Sequence, residues 1–178
     1  MPAPDDILAR TAGAYRDAIA AYQRTHDARA FQRAMQEALA RSHTAATIKG
    51  LADRDGKTVT DWLAGRDKRA PLPQDERALL RNRLASQVGY LQDFVDALPG
   101  MTDAQAAARA ALYAASAKSS YWDAWAGKDL DCTPGSCPAC LSRCRCALER
   151  RGNGIYWTGP GDAHSCSACK GRIGQRMD

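Results

Sequence analysis

Seven cysteines lie between Cys132 and Cys169, and the first 131 residues contain none. Thiolates are soft ligands, and four of them on two short turns are what a tetrahedral Zn²⁺ ion takes. Two Cys-x-x-Cys pairs meet that need: Cys137-Pro-Ala-Cys140 and Cys166-Ser-Ala-Cys169, separated by 25 residues. An odd number of cysteines excludes complete internal pairing as disulfides. The opening Met1-Pro2-Ala3-Pro4-Asp5-Asp6 is acidic and broken by prolines, unlike a secretory signal. A reducing compartment is therefore expected, which favours a metal over disulfides. Disulfides remain the competing reading for particles that later meet oxidising surroundings.

Cys137, Cys140, Cys166 and Cys169 are the expected metal ligands. Four thiolates close the shell, so the zinc is structural rather than catalytic. Cys132, Cys144, Cys146 and His164 remain: one of them could replace a ligand, the group could form a second site, or they could bind nothing. Cys144 and Cys146 are two apart, so on a strand they share a face. His164 stands two residues before Cys166, close enough to ligate the metal or orient a ligand, although a lone histidine there more often does the latter or is simply exposed. No His-Glu-x-x-His, deaminase signature, phosphate loop or Ser-His-Asp set is evident, and the expectation is that the chain is not an enzyme. An open metal site built from His164 and two cysteines is the catalytic alternative.

The elements that must carry these cysteines are read from pattern. Between the knuckles, Cys144–Arg150 and Ile155–Thr158 read as strands joined by Gly152-Asn153-Gly154. Knuckle, hairpin, knuckle is a zinc-ribbon arrangement. Upstream the chain is Ala-rich and helical. One helix is expected from about Pro4 to Arg24, with Ile7, Ala14, Ala18, Ile19 and Tyr22 inward. A second runs from Asp27, its N-cap, to about Ala52, burying Phe31, Met35, Leu39 and Ala46. A short helix covers Val59–Ala64 and ends at Gly65. A third long helix spans Gln74–Leu98 with a seam of Leu84, Val88, Leu91, Val95 and Leu98. A fourth starts at Thr102, with Gln105 completing a capping box, and stops at Gly127. Ala110, Tyr113, Ala117, Tyr121 and Trp125 form its inner stripe. Tyr121, Trp122 and Trp125 are expected to pack the helices onto the cysteine module.

The fold class is thus mainly α: a helical bundle over residues 1–126, then a small cysteine-rich, zinc-ribbon-like β-hairpin module over 127–178. With 25 Lys and Arg against 20 Asp and Glu the net charge is +5, and hydrophobic residues make up 45%. That describes a globular chain, and no run of 18 apolar residues suggests a membrane span.

The run Cys132-Thr-Pro-Gly-Ser-Cys137…Cys140-Leu-Ser-Arg-Cys144-Arg-Cys146, followed by Glu149, resembles the C-terminal signature of phage head-morphogenesis proteins, the Mu F-like minor head proteins. Arg83-Leu-Ala-Ser-Gln-Val-Gly-Tyr-Leu-Gln-Asp-Phe94 and Ala108-Arg-Ala-Ala-Leu-Tyr-Ala114 resemble the helices leading into it. The likeness covers about Leu80 to Cys146. The terminal Cys166-x-x-Cys169 is an addition to the family's pattern. The resemblance implies a virion structural role in head morphogenesis, at the portal or capsid interior, assembled in the host cytoplasm. It implies the portal and major capsid protein as partners, with packaged DNA and further copies of the chain as additional contacts, and no membrane. The alternative is a zinc-ribbon nucleic-acid-binding regulator. It would use Arg143, Arg145, Arg150, Arg151, Lys170, Arg172 and Arg176 on phosphates, with Trp157 stacking on bases.

Overall fold

The computed structural model describes residues 5–67, 69–127, 133–134, 146–161 and 167–177. Its helices are α1 (Asp5–Thr25), α2 (Ala28–Arg54), the short α3 (Val59–Leu63), α4 (Gln74–Ala97), α5 (Asp103–Ala126) and the one-turn α6 (Ser167–Lys170). A two-stranded antiparallel hairpin, β1 (Ala147–Arg151) and β2 (Gly154–Thr158), lies between α5 and α6. The chain is therefore mainly helical with a small hairpin near its C-terminus.

Local chemistry sets the boundaries. Asp27 caps α2 by accepting from the Ala30 N–H at 2.9 Å. Thr102 and Gln105 form the reciprocal capping box of α5, and Gly127 closes that helix at φ 77°. Leu98-Pro99-Gly100 adds a turn of 3₁₀ helix after α4. His26, between α1 and α2, sits at φ 54°, a region β-carbon-bearing residues rarely occupy.

The long helices pack as a bundle. α2 runs along α5, α1 lies against both, and α4 rests chiefly on α2. Phe31, Met35, Leu39, Leu91 and Phe94 are fully or almost fully buried in its main core. Rings stack there: Phe31 meets Phe94 edge-on at 5.5 Å, and Phe94 lies nearly parallel to Tyr113 at 5.7 Å. Tyr15 and Phe94 are core residues outside the expected stripes, while Ala14 faces solvent. The α4 seam is buried only in its second half: Leu91, Val95 and Leu98 are inside, Leu84 and Val88 half-buried. Over its first half a cavity of about 170 Å³ opens, walled by Thr47, Glu76, Leu80, Arg83, Ser120 and Asp123.

A second cluster joins the hairpin to the helices. Leu148, Ile155 and Trp157 pack with Ala46 of α2 and Ala117, Tyr121, Trp122 and Trp125 of α5. Pairing in register puts Leu148 opposite Trp157 and Arg150 opposite Ile155, so these four share the inward face. The segment after α6 returns along the other edge of β2. Gly174 and Met177 donate backbone bonds to the Trp157 and Ile155 carbonyls, and Trp157 donates to Gln175. That return covers an edge that would otherwise expose unpaired backbone groups.

Candidate functional site

The hairpin is a local product of sequence. Gly152 takes φ 58° at the first of two loop positions, a turn that twists with the strands. β1 follows directly on Cys146, and its register places the start of the ribbon beside Gly159. A β-carbon built on Gly159 would stand 3.2 Å from Cys146 Sγ, so backbone and sulfur touch there. Ile173 Cδ1 lies 3.6 Å from the same position, and the Ile173 N–H bonds the Cys169 carbonyl at 3.2 Å. The turn carrying Cys169 thus packs at the Cys146 end of the ribbon.

Of the expected ligands only Cys169 belongs to the described residues. Cys137, Cys140 and Cys166 lie outside them, as do Cys132, Cys144 and His164. Cys169 is 2% exposed and Cys146 4%, both in the cluster that holds Trp157 and Trp122. Among the described residues, no three His, Cys, Asp or Glu side chains gather as a metal group. The indole N–H groups of Trp122 and Trp157 are buried with no hydrogen-bond acceptor among the described residues.

Trp157 is not a stacking surface. Its ring is fully buried, capped by the Arg172 guanidinium 5.7 Å from its centroid. Arg150 likewise lies over Trp125 at 5.3 Å. Arg143 and Arg145 are outside the described residues.

A second polar constellation escaped sequence reasoning. His43 of α2 is fully buried, with Nδ1 2.7 Å from Ser120 Oγ and Nε2 3.0 Å from Ser116 Oγ on α5. Ser116 donates its own proton to the Tyr113 carbonyl at 2.7 Å, so it accepts from Nε2–H. Nδ1 then accepts from Ser120. Burial, with the nearby Arg83 charge adding to it, depresses the His43 pKa to about 3. Ser120 lines the cavity, and a serine beside an imidazole resembles a nucleophile and its base. The imidazole resists protonation, however, and its second nitrogen meets a hydroxyl rather than a carboxylate. The contact is an interhelical lock between α2 and α5.

Neighbouring contacts extend it. Tyr15 and Ser42 hydroxyls meet at 2.7 Å, and burial raises the Tyr15 pKa. Asp53 accepts from Lys49 at 2.5 Å and from the Tyr121 hydroxyl at 2.7 Å. Burial, then the Asp53 carboxylate, raises the Tyr121 pKa. Arg83 of α4 pairs with Asp123 of α5 on the cavity wall.

Comparison with protein-family models, curated proteins and solved structures gives no match. Among the described residues, no helix is long and apolar enough to cross a membrane.

Proposed function

We propose that the chain is a structural protein of a phage or prophage virion, a minor head protein of head morphogenesis at the portal or capsid interior. Its C-terminal module is a zinc ribbon in which Cys137, Cys140, Cys166 and Cys169 hold a structural zinc ion. The cysteine signature from Cys132 to Cys146, with the helices before it, supports the family reading. The burial of Cys146 and Cys169 at the end of a hairpin docked on Trp122 and Trp125 is the observation that carries the reading of the module. A piece of about 50 residues seldom supplies a sufficient core alone, and a bound ion supplies the missing stabilisation. On this reading the helices are the contact surface for portal or capsid protein, and the ribbon is a rigid knob fixed to them.

The test of the role is to purify particles from a strain carrying the gene and probe for the chain by mass spectrometry. It is expected in low copy and to co-purify with portal protein. Intact, infectious particles without it, from a strain lacking the gene, would overturn the role.

A further inference from the structure

We infer that the solvent face of the ribbon binds single-stranded nucleic acid, with Tyr156 as the stacking ring and Arg151 and Arg176 as the phosphate contacts. The inference goes beyond the proposed function and does not depend on it.

Strand parity builds the face. Trp157 and Ile155 point inward, so Gly154, Tyr156 and Thr158 point outward. Tyr156 pairs with Glu149 on β1 and bridges to Arg176 on the returning segment, which puts all three on one row. The Tyr156 ring leans across Gly154: a β-carbon there would meet Tyr156 Cε2 at 2.8 Å and Arg176 Nε at 3.3 Å. Glycine at 154 is therefore the floor on which ring and guanidinium rest. Arg151 completes the group, its guanidinium 5.6 Å from the Tyr156 centroid. Glu149 accepts from Arg151 Nε at 3.1 Å and Nη2 at 2.8 Å, which aims the guanidinium and removes one charge from the face.

The net positive charge of the chain is weighted toward its C-terminal part. Residues 127–178 hold eight basic and five acidic residues, against 17 and 15 in residues 1–126. Arg150 and Arg172 lie over Trp125 and Trp157, on the docked side of the ribbon, and leave Arg151 and Arg176 as the named cations of this face. Three backbone segments spaced by about 4.8 Å make a platform roughly 10 Å wide, on which the single ring stacks one unstacked base. A duplex hides its base faces and would leave Tyr156 unused. An acidic polypeptide would meet the cations but presents no regular succession of aromatic faces to the ring. Both favour a single strand.

The test is fluorescence anisotropy of the full chain, as purified, with a labelled oligothymidylate of about 12 nucleotides, a duplex of the same length, and polyglutamate as competitor. The single strand should bind at about 50 mM salt, with a log–log salt slope near −1.4 for about two phosphates. Tyr156→Ala should weaken it about tenfold and Tyr156→Phe leave it nearly unchanged. Arg151→Ala and Arg176→Ala should each lower the slope by about 0.7. Glu149→Gln should strengthen binding, a gain that an unfolded ribbon cannot give. Unaltered tryptophan emission in each variant checks that the ribbon stays docked. No binding at low salt, equal loss with Phe and Ala, duplex bound more tightly than single strand, or full competition by polyglutamate would each overturn the inference.

Discussion

Gly50 of α2 lies against the backbone of Tyr121 in α5. A β-carbon at Gly50 would collide with the Tyr121 carbonyl oxygen and stand 3.0 Å from Ala124 Cβ. The two longest-contacting helices therefore approach backbone to backbone at this point, next to the lock formed by His43, Ser116 and Ser120. The same stretch of α5 carries Trp122 and Trp125, which receive the hairpin. Helix spacing and ribbon docking are coupled through that stretch.

Gly50→Ala should destabilise the protein by about 2–3 kcal/mol, because neither backbone can yield without separating the helices. Gly89→Ala is the control. Gly89 is exposed within α4 with nothing within 4 Å of an added β-carbon, so alanine there should stabilise by about 0.5–1 kcal/mol. Thermal unfolding of the two variants beside the parent checks both signs.

Stability should fall in acid through His43. Its folded pKa of about 3 lies below the ordinary 6.5, so between those values the unfolded chain binds the extra proton. Stability is then fully present above about pH 6.5 and declines as pH falls toward 3, by about 1.4 kcal/mol per pH unit at most. His43→Gln removes this slope while lowering stability near neutrality, since Ser116 and Ser120 lose a well-placed partner. Urea unfolding at a series of pH values separates the two effects.

Trp157→Ala should cost about 3–5 kcal/mol of ribbon stability, the usual penalty for emptying a buried indole site. The helical circular dichroism should persist while Trp122 and Trp125 become exposed and their emission shifts to the red. Loss of helicity in parallel with the emission change would show that bundle and ribbon unfold as one unit.

Much of the fold was legible because its signals are local. Asp27, the Thr102–Gln105 box, Gly127 and the Gly152-Asn153 turn each act within a few residues, and the element ends follow from them. Phe94 and Tyr15 were missed because their burial depends on where α4 and α1 pack, which periodicity in one helix does not reveal. The His43 lock joins residues 73 and 77 positions apart, and nothing in the local pattern marks it. The inward turn of Trp157 was available from parity: Leu148, Ile155 and Trp157 are apolar on one face, and Tyr156 falls on the other. For the candidate metal site, the spacing of the cysteines supplied the chemistry, and Cys169 is the one expected ligand whose surroundings the structure describes.

Cys140→Ser should release the ribbon and leave the helices folded, with loss of the near-ultraviolet signal of the tryptophans that face it. An unchanged spectrum would separate Cys140 from the stability of the module.

Elemental analysis of the reduced, purified chain, followed by cobalt substitution, tests the proposed zinc site most directly. The account predicts one tightly held zinc per chain, consistent with the two Cys-x-x-Cys pairs, and a tetrahedral, all-sulfur cobalt spectrum. A metal-free protein whose ribbon is nonetheless fully ordered and docked on Trp122 and Trp125 would contradict it.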